Sequence, residues 1–87
     1  HPAAPNPFNP STTIRYDVPE AGNVAVRVYS VLGQRVRTLV DARREAGRYT
    51  VVWDGTDGAG RPASSGVYVV SLTGGGHRRL MRVTLVR

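Results

Sequence analysis

The residues of this chain best suited to chemistry are Asp54, Thr56 and Asp57, in the run Asp54-Gly55-Thr56-Asp57-Gly58. Two carboxylates, a hydroxyl and nearby carbonyls are hard oxygen donors, the kind that calcium takes. A helix-loop-helix calcium site also needs a third acidic or amide ligand and a closing glutamate, and this run has neither. The competing reading is a turn, in which aspartate accepts a hydrogen bond from the backbone two residues on and glycine supplies positive φ. The wider stretch favours that reading. A strand ends on Trp53, the Asp/Gly segment turns through Gly60, and a strand restarts at Ser65-Gly66-Val67-Tyr68. Asp54 and Asp57 therefore stand only as weak calcium candidates, and no cofactor is expected.

Catalysis has little to work with. A nucleophile needs a base and an orienting acid within reach. The two histidines are His1, in a proline-rich lead, and His77, beside a triglycine turn. There is no cysteine, which removes both thiolate chemistry and a disulfide framework. The six acids fall mostly in turns, far from a paired-carboxylate cleft. The expectation is a protein that is not an enzyme.

Charge is more conspicuous. All 12 basic residues are arginine, and the formal net charge is +6. Arg15, Arg27 and Arg48 point away from the core by strand alternation, and Arg78, Arg79, Arg82 and Arg87 gather toward the end. Arginine favours bidentate anions such as phosphate, so an anionic lipopolysaccharide is a candidate partner. Nucleic-acid binders interleave such charges with stacking aromatics. Only Tyr29 shares a face with these arginines, so nucleic acid is not expected. Tyr16, Tyr49, Trp53 and Tyr68 share faces with Ile14, Val51 and Val70 and read as core rather than as a sugar-binding platform.

The elements that must hold these residues are strands. Residues 1–10 contain Pro2, Pro5, Pro7 and Pro10 and read as an extended linker, with Phe8 as an anchor against the domain. From there the chain alternates with period two. Ile14, Tyr16 and Val18 share one face, as do Val24, Val26 and Val28. Arg35 to Val40 alternates poorly. Residues 41–46 read as a loop with at most one helical turn, closed by Gly47. Tyr49, Val51 and Trp53 form the next apolar face, then Tyr68, Val70 and Leu72, then Met81, Val83 and Leu85. Gly33 marks a tight connection in the left-handed region, and Gly74-Gly75-Gly76 a flexible turn. The last strand is expected to reach Arg87, where the protein would end. No apolar run approaches the ~20 residues of a membrane span. The spacing of turns gives an all-β chain, an immunoglobulin-like antiparallel β-sandwich of six to seven strands over residues 11–87, acting as a monomer.

The order of the motifs adds a resemblance. Asn6-Pro7-Phe8-Asn9-Pro10-Ser11-Thr12-Thr13-Ile14-Arg15-Tyr16 resembles the opening of the type A C-terminal sorting domain of type IX secretion substrates. Val28-Tyr29-Ser30-Val31-Leu32-Gly33-Gln34-Arg35-Val36, then Trp53-Asp54-Gly55, then Ser65-Gly66-Val67-Tyr68 are similar to its later motifs. The related immunoglobulin-like domain of the flagellar hook-capping protein shares the Trp-Asp-Gly and Gly-Val-Tyr portion. It less typically carries the Asn-Pro-Phe-Asn-Pro opening, which favours the sorting domain. That resemblance implies a non-catalytic module, secreted or on the cell surface, that directs an upstream enzyme or adhesin across the outer membrane. Its partners would be the outer-membrane export machinery and a sortase-like peptidase. Its signal residues would be Gly66, Val67, Tyr68, Arg82 and Arg87. The alternative is an accessory carbohydrate-binding or spacer module of a secreted multidomain enzyme.

Overall fold

The structure is a computed structural model and describes residues 11–86. Six strands follow in order: β1 (Thr12–Val18), β2 (Gly22–Ser30), β3 (Arg35–Arg44), β4 (Gly47–Trp53), β5 (Gly66–Gly74) and β6 (His77–Leu85). They form two sheets, both antiparallel: β1 with β4, and the four-stranded order β3-β2-β5-β6. The alternating apolar residues of the two sheets meet in one core, which is the immunoglobulin-like sandwich that the sequence pattern requires. Ile14, Tyr16, Val18, Val24, Val26, Val28, Trp53, Tyr68, Val70, Leu72 and Leu85 are buried in it, as alternation predicts.

Register explains who faces inward. Val26 of β2 lies opposite Leu72 of β5, and Val28 opposite Val70. Arg27 lies opposite Ser71, and Tyr29 opposite Val69, on the outer face of the same sheet. Tyr29 is half-buried there, less open than expected for the lone displayed aromatic. Its register partners across the sheet are Val69 and Arg35. Tyr16 and Tyr49, opposite each other on β1 and β4, stack with centroids 5.5 Å apart.

Two expectations change. Residues 41–46 are not a loop with a helical turn: β3 runs on to Arg44. Its pairing with Gly22 through Ala25 of β2 supplies ladder bonds that a six-residue segment could not replace by an isolated helical turn. The poor alternation of Arg35 to Val40 also has a cause. Register shifts between Val26 and Arg27 and between Val28 and Tyr29 leave Leu39 and Val36 as extra residues on β3. Each such bulge resets which face the following residue takes. The last strand is shorter than expected, ending at Leu85, and both Arg87 and the Phe8 anchor lie outside the described residues.

The turns carry their glycines for local reasons. Gly75 and Gly76, with φ of 55° and 78°, make the two-residue loop between Gly74 and His77. Two consecutive positive φ values are the mirror-image turn that matches strand twist. Gly33, with φ of 86°, holds the left-handed position expected of it.

Candidate functional site

Among the described residues, the Trp53-to-Tyr68 corner is the most densely bonded part outside the ladders, and its anchor is the indole. Trp53 is fully buried, meets Tyr68 edge-to-face at 5.0 Å, and donates from Nε1 to the Thr56 carbonyl at 2.8 Å. The Tyr68 hydroxyl donates to the Ser64 carbonyl at 2.6 Å. Each aromatic therefore fills the core with its ring and ties down the loop with its polar tip.

Both aspartates are spent on the loop itself. Asp54 Oδ1 accepts from the Thr56 backbone N–H at 3.1 Å and from the Thr56 hydroxyl at 2.5 Å. Asp57 Oδ1 accepts from the N–H groups of Ala59 at 2.9 Å and Arg61 at 3.0 Å. The Asp54 carboxyl is held below its ordinary value, first by the Thr56 hydroxyl and further by the Thr56 N–H and the Arg37 charge. The Asp57 carboxyl is lowered mainly by the Arg61 N–H, with help from Ala59 and from the Arg61 and Arg37 charges. These are the hydrogen bonds of side-chain-stabilised turns. Among the described residues, no three histidine, aspartate or glutamate side chains gather as a metal site would.

Arg37 is the residue that sequence reasoning missed. Its Nη1 donates to the Thr56 hydroxyl at 2.5 Å and to the Asp57 carbonyl at 3.0 Å, and stands 3.9 Å from Asp54 Oδ1. The Thr56 hydroxyl thus accepts from Arg37 and donates to Asp54. Gly58 N–H donates to the Val36 carbonyl at 2.9 Å, so backbone and side chain together pin the corner to β3. Nothing in the spacing of β3 signals this, because the bulges decide on which face Arg37 emerges.

The expected signal residues do not form one surface. Gly66 opens β5, Val67 is partly exposed on the outer face, and Tyr68 is buried in the core. Arg82 is exposed on β6 opposite Val69. Among the arginines read as outward-facing, Arg27 is only half-exposed and stands 3.9 Å from Asp41. Arg48 stands at the same distance from Asp17.

The corner ties the two sheets together, and comparison with known families bears on which domain it belongs to. The FlgD Ig-like domain family matches residues 10–77. The chain belongs to that family. Two solved structures share its fold. FlgD from Xanthomonas campestris, described for insights into hook capping essential for flagellar assembly, has a TM-score of 0.67 and 24% identity, over 88% of this chain and 58% of that one. FlgD from P. aeruginosa has a TM-score of 0.63 and 24% identity, over 86% of this chain and 60% of that one. The chain thus spans about three-fifths of the length of these FlgD proteins. No curated protein matches it.

Membership of the FlgD Ig-like family overturns the type IX sorting assignment. With it fall the export machinery, the sortase-like peptidase, the lipopolysaccharide attachment, the cell-surface location and the accessory role in a secreted enzyme. The Ig-like relation itself stands. The misreading has a physical origin. The Trp-Asp-Gly turn and the Gly-Val-Tyr restart are what any chain needs to make this corner, so they mark the fold and not the route of export. The Asn6-Pro7-Phe8-Asn9-Pro10 opening, which tipped the resemblance, falls almost wholly outside the matched residues and lies outside the described ones.

Proposed function

We propose that this chain is the Ig-like part of a flagellar hook-capping scaffold, a non-catalytic module that acts by its shape and surface during hook assembly. The observation that carries the reading is the family match from residue 10 to residue 77, which takes in the whole Trp53-to-Tyr68 corner. The corner's bonding supports a rigid structural role, since Asp54, Thr56, Asp57 and Trp53 bond to partners within the domain. We also keep the division of the chain at residue 11, because the family match and β1 both begin within one residue of it.

The test is genetic and microscopic. Deleting the gene in the native bacterium should leave cells without completed hooks, and the tagged full-length protein should decorate the tips of growing hooks. Cells that still build normal hooks after the deletion would sink the proposal.

A further inference from the structure

Among the described residues the two sheets are unequal, and the inequality leaves one side of the sandwich open. The four-stranded sheet presents an inward row on each of β5 and β6. On β5 that row, Tyr68, Val70 and Leu72, is buried throughout. On β6 only Leu85 is buried; Val83 and Met81, opposite Tyr68 and Val70, are half-buried, and Arg79, opposite Leu72, is exposed. Burial thus fades along the edge strand because, among the described residues, the facing sheet has only β1 and β4 to cover it. A groove of about 490 Å³ lies there, floored by Val24 and Leu72, with Asp17 and Glu20 on one lip and Arg78 and Arg79 on the other. Arg79 also borders a second hollow of about 410 Å³ that spans the smaller sheet from Arg15, Tyr16 and Asp17 of β1 to their partners Thr50, Tyr49 and Arg48 of β4.

We propose that this side of β1 is a strand-acceptor site that takes an extended segment of a partner protein as the third strand of the smaller sheet. Among the described residues, β1 pairs only with β4, so its other edge presents backbone donors and acceptors to any added strand. An added strand lies about 4.8 Å from its neighbour and turns alternate side chains inward. Those side chains must be apolar to sit over Val24 and Leu72. The charge of the partner follows from the lips. Asp17 stands 3.9 Å from Arg48, which leaves Glu20 as one carboxylate against Arg15, Arg78 and Arg79 along the two hollows, and among the described residues none of those three arginines lies within salt-bridge distance of a carboxylate. The uncompensated charge is therefore positive, and the segment it fits alternates apolar and acidic residues. Open strand edges invite such pairing unless something covers them. This inference does not depend on the hook-capping role.

The experiment titrates the isotope-labelled full chain with two capped heptapeptides, Thr-Val-Glu-Val-Glu-Val-Thr and its lysine counterpart, followed by NMR. The acidic peptide is expected to shift the backbone amides of β1 and of Arg79 to Val83. The lysine peptide is expected to bind at least about fivefold more weakly, the loss that rim charges of this kind produce. Arg79→Glu should reverse the preference, while Arg35→Glu, the same charge change on the exposed far edge strand, should not. Equal binding of both peptides, or no shift on β1, overturns the proposal. So do two signs of another occupant: concentration-dependent shifts of β1 without peptide, which mean a second copy fills the groove, and Overhauser contacts from Phe8 to Met81 in the free chain, which mean its own leading residues do.

Discussion

The corner from Trp53 to Tyr68 and the open side between β1 and β6 bound the same core, yet they close it in opposite ways. At the corner, two aromatics fill the interior and every turn is tied: Trp53 to Thr56, Asp54 and Arg37 to Thr56, Asp57 to Ala59 and Arg61, Gly58 to Val36. At the open side, Met81 and Val83 are half-covered and the lips carry charges instead of bonds. Coverage of an apolar face depends on strand count, and among the described residues the smaller sheet has two. The comparison separates what stabilises this domain from what leaves it free to associate.

Breaking the corner should cost most. Trp53→Ala is expected to destabilise by about 3–5 kcal/mol, as for other large core truncations, which for a domain this small approaches its whole stability. Chemical denaturation followed by circular dichroism checks it, and a loss under about 1 kcal/mol would mean that the corner is not the lock described. Arg37→Ala comes next, at about 1–2 kcal/mol, because the Thr56 hydroxyl and the Asp57 carbonyl each lose a charged donor at a half-exposed site. The same denaturation series reads it, and Arg37→Lys should recover only part, lacking the planar fork.

On the open side, Met81→Ala should cost about 1 kcal/mol at most, since a half-exposed site leaves no closed cavity. A cost equal to that of Trp53→Ala would erase the distinction between the two regions. The smallest effect is one of pH. The Asp54 carboxyl titrates below its ordinary 3.8 in the folded chain, so its contribution is complete above that value and is lost as the pH falls through the lowered folded value. The difference in melting temperature between the wild type and Asp54→Asn should therefore be constant from neutral pH down to about 4 and close under stronger acid. A difference unchanged at pH 2 would show that the Thr56 bonds do not depend on the charge.

The alternation of Ile14, Tyr16 and Val18, of Val24, Val26 and Val28, and of Tyr68, Val70 and Leu72 determined the strands and the core without help from the structure. A half-buried strand repeats every two residues, and that period is written in residue order. The turn at Asp54 to Gly60 was legible for the same reason: its hydrogen bonds close between residues two to four apart. The length of β3, the reach of Arg37 and the open edge of β1 were not legible. Residues 41–46 have local helical propensity, and only pairing with β2, almost twenty residues away in the chain, makes most of them strand. The two bulges on β3 are set by the partner's register, so no pattern in Arg35 to Val40 could place Arg37 beside Thr56. Local periodicity decides which residues are inside. Pairing between distant strands decides how many of the described strands cover them, and that count leaves one side of this sandwich open.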